Sequence, residues 1–151
     1  MRRAIHDLKY RNLKAIAVCL AKSMADYLRD NPIQGDVLVP VPLHARRLRE
    51  RGYNQSSLLA EKLGVLVALP VLEGHLLRLK DSLPQARTTT VEERRKNVEK
   101  GFSCQPEKLQ AKAIILIDDV CTSGATLEAC AAALKAAGAV SVWGFTLARE
   151  I

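Results

Sequence analysis

Aromatic side chains are scarce in this chain, 4% of 151 residues. A core cannot be built on Phe and Trp here; it must be aliphatic, and a hydrophobic content of 48% supplies it. That composition favours an α/β sheet covered by helices over an all-β sandwich. Long apolar runs are missing too. The longest, residues 64–72, is about half of the roughly 18 residues that a membrane span needs, and it contains Pro70. Met1, Arg2 and Arg3 are followed by His6, Asp7 and Lys9 rather than by an apolar stretch. A secretory signal is therefore not expected, and a cytoplasmic location is. The cysteines, Cys19, Cys104, Cys121 and Cys130, have no C-x-x-C spacing, so no zinc site is expected. His6, His44 and His75 have no partner at a metal-ligand spacing and are read as structural or surface residues. No Gly precedes a Lys and no two glycines are one residue apart. The first absence excludes a Walker A loop, the second a dinucleotide G-x-G fingerprint.

What is present fits one domain, residues 1–151, the usual size for a single core. The net charge of +7 points to an anionic partner, a phosphate-bearing molecule or nucleic acid. Apolar residues at three- and four-residue spacing predict an amphipathic helix over 5–28, ended by Asn31-Pro32. Residues 36–40 read as a short strand, followed by a basic loop carrying Arg46, Arg47, Arg49 and Arg51. Residues 53–63 have helical period and are expected to close at Gly64 as a C-cap. Residues 65–79 read as two short strands, 80–90 as a polar loop and 91–100 as a charged helix. Residues 113–117 are a continuous apolar run suited to a central parallel strand. Residues 125–137 are Ala- and Leu-rich and helical, and 140–147 form a last strand. The expected fold is α/β, a mainly parallel open sheet of about four or five strands with helices on both faces. Asn54-Gln55-Ser56 matches a glycosylation sequon, a coincidence in a chain with no secretory signal.

The segment that carries chemistry is Ile114-Ile115-Leu116-Ile117-Asp118-Asp119-Val120-Cys121-Thr122-Ser123-Gly124-Ala125-Thr126. A buried strand delivers two carboxylates, a tight turn of hydroxyl residues with one glycine follows, and a helix begins. Ligands of open α/β sheets sit at the carboxyl ends of strands. A helix start near Ala125 offers N–H groups and a positive dipole end to a phosphate, and Gly124 lets the backbone approach it. Thr122, Ser123 and Thr126 add hydroxyl donors. Asp118 and Asp119 can hold vicinal sugar hydroxyls, directly or through a hydrated divalent cation. Cys121 before a helix also suits a thiol phosphatase, but Leu127 stands where a phosphate-clamping Arg would be wanted.

Asp118-Asp119-Val120-Cys121-Thr122-Ser123-Gly124-Ala125-Thr126 resembles the phosphoribosyl-pyrophosphate (PRPP) motif of type I phosphoribosyltransferases. Val39-Pro40-Val41-Pro42-Leu43, then Arg46, Arg49 and Arg51-Gly52-Tyr53-Asn54-Gln55, is similar to the ComF family of competence-associated proteins, as are Arg78, Gln85, Arg94, Asn97 and Phe102. The resemblance covers nearly the whole chain. It implies a type I phosphoribosyltransferase-like fold, with PRPP or another ribose 5-phosphate ligand bound together with Mg²⁺. It assigns Asp118 and Asp119 to the ribose, to Mg²⁺ and to catalysis, and Thr122, Ser123, Gly124, Ala125 and Thr126 to the 5-phosphate. It assigns Val41, Pro42, Arg46, Arg49 and Arg51 to the pyrophosphate, and places Lys80, Gln85, Arg87, Arg94 and Asn97 in and after a mobile loop that closes over the ligand. Members of the family often carry an N-terminal cysteine-rich zinc segment, which this sequence lacks, so zinc is not implied. Some purine-specific relatives in the superfamily place an Asp three residues after the second acid; Thr122 stands there, and a purine acceptor is not implied.

Two functions remain open on these residues. One is an enzyme: PRPP and Mg²⁺ bind, pyrophosphate leaves C1′ and a nitrogen nucleophile replaces it. The other is a binding module that senses PRPP or a nucleotide, or holds single-stranded DNA during DNA uptake. The family's association with competence implies an ATP-driven DNA helicase or translocase as a partner; the lack of a long apolar run makes membrane insertion unexpected. The enzyme is favoured, and no base-recognition motif is legible.

Overall fold

The computed structural model describes residues 14–79 and 101–149. Its centre is a parallel three-stranded sheet in the order β1–β4–β5, formed by Val37–Pro40, Ala113–Cys121 and Ser141–Arg149. The register pairs Val37 with Ile114 and Pro40 with Ile117 on one side of β4. On its other side Ala113 pairs with Ser141 and Cys121 with Arg149. β4 is central for the reason its sequence suggests: Ile114, Ile115, Leu116 and Ile117 are all buried, two facing each side of the sheet.

One face is covered by α1, Lys14–Asp30, and α3, Gln55–Val67. Ala17, Leu20, Ala21, Met24, Ala25 and Leu28 of α1 meet Leu59, Ala60 and Leu63 of α3 over Leu38, Ile115, Ile117 and Phe145. Tyr27 stacks on Phe145 at 5.8 Å between ring centroids. The small alanines allow close approach of the helices, and α1 stops where Asn31 caps the carbonyl of Tyr27 before Pro32. The other face is covered by α4, Ala125–Ala136, with Ala129, Cys130 and Leu134 turned inward. Leu76 and Phe102, from the antiparallel pair β2, Leu76–Arg78, and β3, Phe102–Cys104, join this second cluster. The core is mostly aliphatic, with Phe145 in one cluster and Phe102 in the other, and helices lie on both faces.

Four details differ from the sequence-based expectation. Among the described residues the parallel sheet has three strands rather than four or five. Residues 70–72 add a single parallel bridge, Val71 with Leu38, along the free edge of β1, and β2 pairs with β3 apart from that sheet. The basic segment is not a loop but a short helix, α2, Ala45–Arg51, N-capped by His44, whose side chain accepts from the N–H of Arg46 at 3.2 Å. α3 does not close at Gly64 but continues to Val67, with Ala68 in the left-handed conformation as its C-cap. Gly64 is inside the helix because the chain returns over it: a Cβ there would lie 2.8 Å from the carbonyl oxygen of Leu69 and 2.8 Å from Val71 Cγ2. The expected helix over 91–100 and the start of the expected first helix lie outside the described residues.

The connections fix where a ligand can enter. From β1 the chain runs through α2 and α3 to residue 71, on one side of β1, whereas β4 lies on its other side and leads through α4 to β5. The two excursions diverge between the C-terminal ends of β1 and β4 and cross opposite faces. In open α/β sheets that divergence opens a crevice at the carboxyl ends of the strands.

Candidate functional site

β4 outruns β1 at this crevice. β1 ends at Pro40 opposite Ile117, and β4 continues through Asp118, Asp119, Val120 and Cys121. The two acids therefore stand just past the end of the neighbouring strand. Asp119 is buried, at 3% exposure. Asp118 Oδ1 accepts the hydroxyl of Ser56 at 2.8 Å and the backbone N–H of Asp119 at 2.9 Å. Asp119 Oδ1 accepts the N–H of Val120 at 2.9 Å. Burial first, and then the charge of Asp119, push the carboxyl of Asp118 up to about 6, against the lowering effect of the Ser56 and Asp119 hydrogen bonds. Two carboxyl groups crowded in a partly dry place favour a proton or a cation between them.

After Cys121 the chain turns through Thr122 and Ser123, both exposed, to Gly124, the N-cap of α4. Gly124 has φ 82°. Its Cβ would meet only Cys121 Sγ, at 3.9 Å, so the left-handed backbone rather than lack of space calls for glycine. No side chain caps α4 closely; Ser123 Oγ accepts from the N–H of Ala125 at 3.4 Å. The first turn of α4, Ala125 and Thr126 onward, thus presents N–H groups and the positive dipole end beside the acids. Behind them, on α4, the thiol of Cys130 is buried and held protonated, its ionisation opposed by burial and by the charge of Asp118.

The third part comes from the segment after β1. Val41 is buried; its N–H extends the sheet to the carbonyl of Ile117 at 2.9 Å, and its own carbonyl accepts Asn54 Nδ2 at 2.9 Å. Val41 is thus frame, and Pro42 has no N–H to offer. Asn54 also caps α3, accepting the N–H of Ser56 at 3.1 Å. Arg51 is half-buried and donates to Gln55 Oε1 at 3.1 Å. Arg46, Arg47 and Arg49 are exposed on α2, and Arg46 pairs with Glu50 at 2.9 Å. Arg78 lies 5.5 Å from the centre of the Phe102 ring. The structure therefore unites Asp118, Asp119, Gly124, Ala125 and Thr126 in one strand–turn–helix, and ties Val41 and Arg51 to it through the start of α3. Lys80, Gln85, Arg87, Arg94 and Asn97 lie outside the described residues.

Sequence reasoning missed Ser56 and the capping role of Asn54. The signal lies in Asn54-Gln55-Ser56, an Asx cap followed by a hydroxyl in the first helical turn, which neither the sequon nor the family resemblance brings out. No helix among the described residues is long and apolar enough to cross a membrane.

The parallel sheet with helices on both faces has the fold of solved phosphoribosyltransferases. The glutamine PRPP amidotransferase of B. subtilis, solved with ADP and GMP, superposes with a TM-score of 0.61 at 18% identity, over 87% of this chain and 26% of that one. Purine phosphoribosyltransferase from Pyrococcus horikoshii superposes with 0.52 at 19% identity, over 86% of this chain and 70% of that one. Among curated proteins, competence protein F of Haemophilus influenzae is 33% identical over 117 residues, 75% of this chain and 51% of its own length. Competence protein ComFC of Bacillus subtilis is 40% identical over 115 residues, 76% of this chain and 45% of its own length. The chain is similar to these competence proteins over about three quarters of its length, which supports the resemblance to the ComF family. It spans about half the length of these relatives. No family model matches it.

Proposed function

We propose that this chain is a ribose 5-phosphate-binding domain of the phosphoribosyltransferase type, taking PRPP with Mg²⁺ and serving DNA uptake. The observation that carries the reading is the juxtaposition of Asp118 and Asp119 with the Gly124-capped start of α4 at the end of β4. The phosphate sits on the N–H groups of residues 124–126, aided by the Thr122, Ser123 and Thr126 hydroxyls. Asp118 and Asp119 accept the vicinal ribose hydroxyls. Arg51, with the arginines of α2, balances the pyrophosphate charge.

The residues fit Mg²⁺ as a shared ion. Among the described residues no group of three or more His, Cys, Asp and Glu could hold a metal alone. Asp118 and Asp119 offer the hard oxygens that Mg²⁺ prefers, the rest coming from ligand and water. When bound, the ion supplies charge neutralisation of the pyrophosphate. The protein holds the sugar and stabilises the charge on the leaving group, so that a nitrogen nucleophile displaces pyrophosphate at C1′.

PRPP or ribose 5-phosphate with Mg²⁺ should raise the melting temperature as a ligand specific for the native state does. In Asp118→Ala with Asp119→Ala the rise should disappear while the chain stays folded. A rise that survives in this double variant assigns the ligand elsewhere. Pyrophosphate release on addition of candidate nucleophiles identifies the transferase.

A second reading, a binding module for single-stranded DNA, is favoured by the exposed Arg46, Arg47 and Arg49 on α2. With few aromatics for stacking, binding should come from phosphates and weaken with salt, at a slope of roughly −0.7 per phosphate contact. Titration of a labelled oligonucleotide at several salt concentrations measures that slope. Binding that ignores salt, or that is untouched in Arg46→Ala with Arg47→Ala, rules out α2 as the contact.

A further inference from the structure

Ser56 lies in the first turn of α3. It is 1% exposed, and its hydroxyl donates across the crevice to Asp118, 62 positions away in sequence. The same turn is anchored on the other side. Asn54 accepts the N–H of Ser56 and donates to the carbonyl of Val41. Val41 in turn donates to the carbonyl of Ile117, the residue before Asp118. A closed ring of hydrogen bonds thus runs from β4 to the segment after β1, through the cap of α3, and back to the acid. Asp118 Oδ1 takes two donors from nearly fixed frames, a helix turn and a strand backbone. A carboxyl held by two donors at one oxygen cannot swing about its χ2 bond. Burying a carboxylate opposes stability, and an apolar pair at these two positions would pack at lower cost. The ring is therefore built to aim the acid.

We infer that Ser56 is a positioning residue: its hydroxyl holds Asp118 in the one orientation that receives a ribose hydroxyl or the hydrated cation, and Asn54 fixes that hydroxyl relative to the segment after β1. The inference rests on the function proposed above. It adds a role for a residue that touches no ligand and acts only through Asp118. The phosphate seat on α4 uses backbone N–H groups outside the ring, so it should not depend on Ser56.

The test compares two ligands on the full chain, inorganic phosphate and ribose 5-phosphate, each with Mg²⁺, titrated by calorimetry. In Ser56→Ala the affinity for ribose 5-phosphate should fall about tenfold, the size expected for losing one hydrogen bond to a charged group, while affinity for inorganic phosphate is unchanged. In an Asp118→Ala background the same substitution should have no further effect, because the two act as one unit. Ser56→Cys leaves no cavity, being slightly larger than Ser, and offers only a weak donor; it should behave as the alanine variant does and covers the case in which that variant folds poorly. Ribose 5-phosphate binding at wild-type strength in both variants overturns the positioning role alone. Equal losses for both ligands overturn it too, as they mark general damage to the crevice. A wild-type chain that binds neither ligand overturns the proposed function itself, and the positioning role with it.

Discussion

Asp118→Asn should make the protein more stable at pH 8, by as much as about 3 kcal/mol, while removing its response to ribose 5-phosphate. The sign follows from the direction of the shift. Most native carboxylates are held below their unfolded values, but Asp118 is raised from 3.8 to about 6 by burial and by Asp119. Well below the unfolded value of 3.8 the group is protonated folded and unfolded and contributes no pH dependence. Between the two values the folded chain binds the proton more tightly, so stability falls as pH rises. Above pH 6 the whole penalty of a buried charge is present, and a shift of roughly two units corresponds to about 3 kcal/mol. Asparagine keeps the acceptor for Ser56 and for the N–H of Asp119 and carries no charge. Urea unfolding of both proteins at pH 4, 6 and 8 measures the gap. It should widen with pH; a gap that is constant, or an asparagine variant weaker at pH 8, contradicts the electrostatic account.

Gly64→Ala should destabilise by about 2 kcal/mol, the usual effect of overpacking, although alanine is the better helix former. On an exposed helix the same change would stabilise by up to about 1 kcal/mol. The reversal comes from the returning chain: the new Cβ would meet the Leu69 carbonyl, which is backbone and cannot rotate away, and Val71 Cγ2, both at 2.8 Å. The substitution therefore presses on the segment that bridges Leu38 at the edge of β1. A lowered denaturation midpoint with an unchanged m-value is the expected signature. A midpoint raised by the substitution would mean that residues 69–71 do not pack on α3.

The parts of this molecule that could be read from sequence are those written locally. The run before Asp118, the acids, the hydroxyl turn, Gly124 and the Ala-rich helix follow one another without a break. Each has a local cause: burial on both faces, a left-handed turn, helix propensity. The spacing over 5–28 and 53–63 marks the helices found over Lys14–Asp30 and Gln55–Val67, though not their ends. α2 was not, because a seven-residue helix with four arginines and no buried side chain has no apolar period to detect. Gly64 was misread because a glycine near the end of an apolar period suggests a cap equally well, and only the path of residues 69–71 decides. Ser56 was missed because its partner is on another element. The pairing of β2 with β3 and the single bridge at Val71 likewise depend on chain that is distant in sequence.

The parallel pairing of β1 with β4 has a consequence for the order of assembly. Joining Val37 to Ile114 closes a loop of about half of the chain before any contact between those strands repays it. No hairpin shortens that search, and sheets of this kind fold slowly for their size. The Gly124 turn and α4 need no such closure. A chain that has lost only the β1–β4 junction would keep the Gly124 turn but would have parted Ser56 from Asp118, so the rate at which that junction closes is the rate at which the two sides of the crevice meet.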